Sequence, residues 1–238
     1  MNSISALIFD VDGTLAETER DGHRPAFNQA FHEAGLPWVW DEALYGKLLA
    51  ITGGKERIAH YAQHYQPESS NAPDFTERVK RLHQAKTAHY LKKIVRGQLP
   101  LRPGIARLLR EARLKGVRLA IATTTSPDNV TTLLEATLGP EAIRWFEVIG
   151  AGDIVAQKKP APDIYHWVLA QLGLPATACL AIEDSPPGLQ AARAAGLRCL
   201  VTPGEYTQGQ DFSGALAIIE HLPDWSLDRI LHLAAPSA

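Results

Sequence analysis

Two carboxylates lie two residues apart directly after the first apolar run of the chain, in the segment Phe9-Asp10-Val11-Asp12-Gly13-Thr14. If that run is a buried strand, both acids stand at its end, where mutual repulsion opposes ionising both. A cation and two different protonation states are then expected, which suits a nucleophile working beside a general acid–base group. Because Asp-Gly alone is also a common turn, the rest of the chain must decide.

Three further apolar runs are followed by side chains that can do chemistry: Thr123–Ser126, Lys158-Lys159-Pro160 and Glu183-Asp184. Taken singly, these segments are as typical of helix caps and of a surface lysine pair. The carboxyl ends of parallel strands, however, meet at one edge of a sheet, so four such ends favour one shared site. Successive extended residues point in opposite directions, and we expect Lys159, beside the proline, to face that site.

The charges of this set predict a divalent cation. With Asp12 protonated, three negative charges remain on Asp10, Glu183 and Asp184, and Lys159 neutralises only one of them. Oxygen ligands beside a phosphate favour Mg²⁺. We expect Asp10, Asp184 and the backbone carbonyl of Asp12 to bind it, with Glu183 joining directly or through water.

The same residues suit the transfer of a phosphoryl group. Asp10 is expected to attack phosphorus and form an aspartyl-phosphate, which divides a slow hydrolysis into two easier steps. Asp12 is expected to protonate the leaving alkoxide and then to deprotonate the attacking water. The Thr123 hydroxyl, the Thr124 amide and Lys159 can stabilise the transferring oxygens.

The elements that position these residues form an α/β pattern. Continuous apolar runs predict strands that are buried on both faces of a parallel sheet, at Ala6–Val11, Val117–Thr123, Phe146–Ala151, Ala178–Ile182 and Arg198–Thr202. Helical patterns that stop at glycine lie between them, at Ile105–Lys115, Asp163–Leu172 and Gly188–Ala195. This alternation predicts a Rossmann-like, doubly wound parallel sheet.

The pattern of apolar residues differs in residues 17–98, which show helical periodicity and no convincing strand. We predict an α/β core domain of residues 1–16 and 99–238, interrupted by an inserted helical domain of residues 17–98. Within the insert, the segment Pro67–Pro73 is expected to be a polar loop, and the first helix is expected to begin near Pro25 because Gly22 and Pro25 interrupt the pattern.

Composition excludes several other classes of function. The net charge of −2 offers no field for nucleic acid or a membrane surface, and no segment is apolar for long enough to span a bilayer. The first residues lack the features of a signal peptide, and Cys179 and Cys199 lie in apolar runs that indicate buried thiols. We expect a cytoplasmic monomer whose partner is a small molecule, with no nucleic acid and no membrane involved.

The order of motifs resembles the haloacid dehalogenase superfamily of phosphatases over nearly the whole chain: Asp10-x-Asp12-Gly-Thr, then Thr123, Lys159 and Glu183-Asp184. The position of the helical insert resembles the C1 cap of the β-phosphoglucomutase-like branch. An acid at the place of Asp12 argues against the dehalogenases proper. The resemblance implies a Mg²⁺-dependent sugar phosphate hydrolase.

Several segments are also similar to the CbbY-type phosphatases of Calvin-cycle bacteria: Thr14–Glu19, Thr52–Ile58, His83–Lys86, Ala122–Ser126 and Lys158–Tyr165. This similarity implies that the substrate is xylulose-1,5-bisphosphate, an inhibitor of RuBisCO. It also implies a set of substrate-binding residues: Glu17, His23, Thr52, Gly53, Gly54, Lys55, His83, Lys86, Thr123, Thr124, Thr125, Ser126, Asn129 and Lys159.

Other functions remain open at this point. A phosphomutase of the β-phosphoglucomutase kind would use the same nucleophile and return the phosphoryl group to the sugar. A signalling receiver also combines acids, threonine, lysine and Mg²⁺, although the length of the chain and the helical insert are against it. A non-catalytic sensor of sugar phosphates is a further alternative. Such a protein would not need the four residues Asp10, Asp12, Lys159 and Asp184, and their presence argues against it.

Overall fold

The structure is a computed structural model that describes residues 4–235. It contains two compact units, one formed by Met1–Glu17 with Pro100–Ala238 and the other by Thr18–Leu99. We call them the core unit and the helical unit. These bounds differ by one residue at each junction from those expected from the sequence, so that Glu17 belongs to the core unit and Leu99 to the helical unit.

The described part of the core unit contains one six-stranded sheet in the order β3-β2-β1-β4-β5-β6, and every pair of neighbouring strands is parallel. The strands are β1 (Ala6–Phe9), β2 (Arg118–Ala122), β3 (Phe146–Gly150), β4 (Cys179–Glu183), β5 (Arg198–Val201) and β6 (Ala217–Ile218). The order confirms the predicted Rossmann-like doubly wound sheet, in which chemistry gathers at the carboxyl ends of the strands. The sequence did not predict β6.

Helices cover both faces of this sheet. The helices of the core unit are α6 (Ile105–Leu114), α7 (Pro127–Leu138), α8 (Asp163–Leu172), α9 (Pro186–Ala194) and α10 (Leu227–Leu233), with shorter 3₁₀ turns at Pro140–Trp145, Ala176–Ala178 and Leu222–Asp224. Ala6 and Ile8 of β1 pack with α8 and α9 in one apolar cluster. Because side chains alternate along a strand, Leu7 and Phe9 point to the opposite face, and all four are fully buried.

Serine caps explain where two of these helices begin. The Ser126 hydroxyl accepts a hydrogen bond from the Asn129 amide at the start of α7, and the Ser185 hydroxyl accepts one from the Gly188 amide at the start of α9. The alternative interpretation that Glu183 or Asp184 caps α9 is therefore wrong. Both carboxylates remain available to the strand ends.

The helical unit contains α1 (Arg24–Glu33), α2 (Glu42–Leu48), α3 (Gly54–Tyr65), α4 (Pro67–Ser70) and α5 (Phe75–Val95). A π-helical turn at Glu19–His23 leads directly into α1, which begins at Arg24, beside the expected Pro25. The expectation of a loop at Pro67–Pro73 is wrong in its first half, because α4 occupies Pro67–Ser70. Proline is favourable at the first position of a helix, because the backbone N–H of that residue has no acceptor within the helix and its loss costs nothing.

Buried aromatic rings form the centre of the helical unit. Phe27 and Phe31 of α1 lie against Trp40, with ring centroids 4.7 and 4.8 Å away, and Trp38 and Trp40 both contact Tyr61 edge-on. Such edge-on pairs add stability beyond the area that they bury. Among residues 4–235, no helix is both long and apolar enough to cross a membrane.

Candidate active site

A buried lysine joins two carboxylates at the carboxyl edge of the sheet. The Lys159 ammonium donates to Asp10 Oδ1 at 2.7 Å, to Glu183 Oε1 at 2.6 Å and to the Ala122 carbonyl at 2.8 Å. Lys158 instead donates to Asp153 at 2.6 Å, away from this cluster. The structure therefore brings together the ends of β1, β2 and β4 through one side chain.

The surroundings of Asp10 and Lys159 shift both of their pKa values. Burial raises the pKa of the Asp10 carboxyl to about 7, while the Lys159 ammonium acts to lower it and the Glu183 charge to raise it. Burial alone would lower the pKa of Lys159, but the Asp10 and Glu183 carboxylates outweigh burial and hold it above its ordinary value. Lys159 thus stays charged, and Asp10 needs more positive charge nearby to remain ionised at neutral pH.

The cluster fits a divalent cation. Asp10, Glu183 and Asp184 are buried, and each offers a carboxylate oxygen within 4.8 Å of the others. Glu183 Oε2 is buried and has no hydrogen-bond partner among the described residues. One lysine against three carboxylates leaves negative charge uncompensated in a low-dielectric site, and a hard cation bound by oxygen would neutralise it.

The loop after β1 passes directly beside Asp184 at Gly13. Gly13 has φ of +87°, and a Cβ at this position would lie 2.1 Å from Asp184 Oδ2. Only glycine combines that conformation with so close an approach. The Gly13 amide donates to the Ala16 carbonyl at 2.8 Å, which closes the loop around the half-buried Asp12.

The loop after β2 holds the predicted hydroxyl groups. The Thr123 hydroxyl accepts from the Thr125 amide at 3.3 Å, and the Thr125 hydroxyl accepts from the Asn129 side-chain amide at 2.8 Å. Thr124 and Ser126 are half-buried, and Ser126 caps α7. Asn129 Oδ1 is buried with no hydrogen-bond partner in the described chain, so this amide has acceptor capacity for a ligand.

Sequence reasoning missed two residues that support this site. The Tyr165 hydroxyl on α8 donates to Glu183 Oε1 at 2.5 Å, and burial followed by the Glu183 charge raises the pKa of this phenol. Arg102 contacts the loops after β1 and β5. No pattern in the sequence identifies either partner, because each contact joins elements that are far apart in the chain.

Within the helical unit, four of the predicted binding residues lie around or beside the rings of Phe27 and Tyr90. His23 stacks on Tyr90 with ring centroids 3.9 Å apart, and the Lys86 ammonium lies 5.0 Å from the Phe27 ring and 5.1 Å from the Tyr90 ring. A Cβ at Gly54 would lie 2.7 Å from the His83 ring. Lys86 is only 4% exposed, an unusual burial for a lysine.

The remaining predicted residues of this unit lie at the start of α3. Gly53 precedes the helix with φ of +91°, between Thr52 and Gly54, and Lys55 is the second helical residue. Arg57, one turn further on, lies inside the helical unit, where it donates to the Tyr45 hydroxyl at 2.9 Å and to the Leu48 carbonyl at 3.2 Å.

The model of the haloacid dehalogenase-like hydrolases matches residues 4–196 of this chain. The chain therefore belongs to this family of hydrolases, as the motifs and the parallel sheet indicate.

Relatives within the family are similar over nearly the whole chain. The plasmid-encoded protein CbbY of Cupriavidus necator is 51% identical over 221 residues, which are 93% of this chain and 87% of the relative. The crystal structure of a D10N variant of CbbY from Rhodobacter sphaeroides, in complex with xylulose-1,5-bisphosphate, superposes with a TM-score of 0.88 at 46% identity and covers 95% of this chain and 98% of that one. Because the chain belongs to this family of hydrolases and is similar to CbbY over nearly its whole length, it is a phosphatase.

A β-phosphoglucomutase from Clostridium difficile superposes with a TM-score of 0.78 at 19% identity, covering 97% of each chain. This likeness shows a shared fold alone.

Proposed function

We propose that this chain is a Mg²⁺-dependent phosphatase of sugar bisphosphates that acts on xylulose-1,5-bisphosphate through an aspartyl-phosphate. The observation that carries the proposal is the Lys159 ammonium, 2.7 Å from Asp10 Oδ1 at the edge of the sheet where Glu183 and Asp184 also lie. The complex of a CbbY relative with xylulose-1,5-bisphosphate supports the choice of substrate.

The core unit supplies the groups for both chemical steps. Asp10 attacks phosphorus, and Lys159 holds this carboxylate in place and neutralises part of its charge. Asp12, half-buried and two residues after Asp10, gives a proton to the leaving oxygen and later takes one from water. The Thr123 hydroxyl and the Thr124 amide bind the transferring oxygens.

Asp10, Asp184 and the Asp12 carbonyl would hold Mg²⁺, which when bound supplies positive charge to the phosphoryl oxygens. Glu183 contributes mainly by holding Lys159, because its Oε1 accepts from both Lys159 and Tyr165. We expect any contact of Glu183 with the cation to run through water.

A bisphosphate needs positively charged side chains for its second phosphate as well, and the helical unit offers Lys86 and Lys55. Lys86 keeps a buried positive charge beside the Phe27 and Tyr90 rings, and we propose that this charge attracts the second phosphate. We propose that Glu17 of the core unit binds sugar hydroxyls. His23, His83 and the segment Thr52–Gly54 of the helical unit are proposed as further substrate-binding residues.

The first test is phosphate release from a panel of sugar mono- and bisphosphates with Mg²⁺, comparing the wild type with Asp10→Asn. The amide keeps the shape of the carboxylate and removes the nucleophile, so we expect kcat to fall by about 10⁴-fold or more with the fold intact. Circular dichroism serves as the control for folding. Substantial turnover by a folded Asp10→Asn protein would show that another group attacks phosphorus.

The same assays separate the phosphatase from a phosphomutase. Incubation with β-glucose 1-phosphate and a bisphosphate primer is expected to release inorganic phosphate if it reacts at all. Isomerised sugar without free phosphate would contradict the hydrolase assignment. The preferred substrate of the panel is expected to be xylulose-1,5-bisphosphate, and faster turnover of monophosphates would remove the role proposed for Lys86.

A further inference from the structure

Arg102 joins two separate backbone segments of the core unit. Its guanidinium donates to the carbonyl oxygens of Gly13, of Thr202 at 2.7 Å and of Pro203 at 2.8 Å. Its Nε lies 3.2 Å from the Glu17 carboxylate. The planar fork of arginine can serve several acceptors at once in fixed directions, which a lysine ammonium on a flexible stem does less well.

The two loops that Arg102 joins both touch the Asp184 carboxylate. A Cβ at Gly13, after β1, would lie 2.1 Å from Asp184 Oδ2, and a Cβ at Gly204, after β5, would lie 3.5 Å from the same oxygen. The Gly204 position also approaches Glu17 Oε2 to 3.3 Å. Asp184 therefore lies beside both loops, and Arg102 joins the two loops through its hydrogen bonds.

We propose that Arg102 is a positioning residue that sets the affinity of the acid cluster for its divalent cation. By holding the loops after β1 and β5, Arg102 fixes the backbone of Asp12 and the segments beside Asp184. The oxygens of these two ligands are then already in place before the cation binds. Arg102 also orients Glu17 at the rim of the same loops. The inference rests on the proposed function only in taking Mg²⁺ as the cation.

The chain offers a matched control arginine on another part of the core unit. Arg107 donates to Glu111 at 2.9 Å and to the carbonyls of Pro223 at 3.0 Å and Trp225 at 2.8 Å. Like Arg102, it combines one carboxylate with backbone carbonyls from a distant segment. Unlike those of Arg102, its hydrogen bonds within residues 4–235 go to Glu111, Pro223 and Trp225, and not to the loops after β1 and β5.

The test measures Mg²⁺ binding to the substrate-free protein by titration calorimetry, for the wild type, Arg102→Lys and Arg107→Lys. We expect Arg102→Lys to raise the Kd for Mg²⁺ roughly 10-fold, the usual effect of removing a residue that supports metal ligands. Phosphate release by this variant should then recover largely when Mg²⁺ is raised to saturation. Arg107→Lys should bind Mg²⁺ like the wild type.

Unchanged Mg²⁺ affinity in a folded Arg102→Lys protein would overturn the inference, as would an equal loss in Arg107→Lys. Should Arg102→Lys fail to fold, hydrogen exchange on the wild type decides: Mg²⁺ must slow exchange both at Gly13 and at the segment Thr202–Gly204. Protection of Gly13 alone would contradict coupling through Arg102.

Failure of the proposed function would look different. A wild type that binds Mg²⁺ in an Arg102-dependent way and yet releases no phosphate would leave the inference standing and remove the phosphatase assignment. A wild type that does not bind Mg²⁺ would overturn the inference itself.

Discussion

The chemistry at the scale of single residues depends on how one carboxylate, Glu183, is held. Its Oε1 accepts from the Lys159 ammonium at 2.6 Å and from the Tyr165 hydroxyl at 2.5 Å, while Lys159 also donates to Asp10. Tyr165 is fully buried, so its hydroxyl fixes Glu183 without exchange with water. We infer that Tyr165 positions Lys159, and through it Asp10.

Replacing Tyr165 by phenylalanine tests this arrangement. Without the hydroxyl, Glu183 loses one of its donors and Lys159 is held less firmly, so we expect kcat to fall roughly 10-fold, the effect typical of removing an outer supporting group. Steady-state phosphate release should show the change in kcat with little change in KM, because the ring is fully buried.

The control for that prediction is Tyr61→Phe. Tyr61 is also buried, at 6% exposure, but it packs in the aromatic centre of the helical unit. The same chemical change there should leave kcat within about twofold, as for a substitution far from any charged network. Equal losses in both variants would mean that the Tyr165 effect is one of general stability.

Residues at this scale divide into those that a sequence can indicate and those that it cannot. The choice of Lys159 over Lys158 follows from the alternation of extended residues, and the structure places Lys159 against Asp10 and Lys158 against Asp153. Tyr165 and Arg102 have no comparable local signal. Their functions come from hydrogen bonds to segments brought near only by the folded sheet.

At the scale of elements, the loop after β1 is tightly constrained at Gly13. Gly13 adopts φ of +87° with the Asp184 carboxylate where a side chain would be. Gly13→Ala therefore combines a strained backbone with a clash. We expect it to destabilise the protein by about 1–3 kcal/mol, from the strained backbone alone, and to lower activity further by displacing Asp184. Thermal unfolding and phosphate release measure the two effects.

Gly116→Ala separates backbone strain from that clash. Gly116 has φ of +70° at the end of α6, and a Cβ there would meet nothing within 4 Å. We expect a comparable loss of stability without loss of kcat at temperatures where the protein is folded. A Gly13→Ala enzyme as active as Gly116→Ala would show that Asp184 does not depend on this loop.

Strand ends were predictable from the sequence because β1, β2 and β4 are buried on both faces and leave continuous apolar runs. The shortest elements were not. β6 has two residues and α4 has four, too few for any periodicity to show. The buried polar contacts inside the helical unit, such as Arg57 with Tyr45, were equally hidden, since charge patterns alone suggest an exposed arginine.

For the whole molecule, the acid cluster ties the stability of the core unit to a cation. Asp10 and Glu183 share one lysine beside Asp184, and repulsion among the three carboxylates opposes folding unless positive charge is added. A ligand that binds only the folded state stabilises it by about 2.7 kcal/mol at a hundred times its Kd. For a chain of this size, that corresponds to a rise in Tm of roughly 5–10 °C.

We therefore expect Mg²⁺ to raise Tm and a chelator to reverse the rise, with the protection confined to the core unit. Hydrogen exchange should slow at the ends of β1 and β4 on adding Mg²⁺, whereas amides around Trp40 and Tyr61 in the helical unit should exchange as before. Asp184→Asn removes one of the three acids, so its Tm should respond much less. If Mg²⁺ shifts the Tm of Asp184→Asn as much as that of the wild type, the cation binds elsewhere, and the assignment of this cluster as the metal site fails.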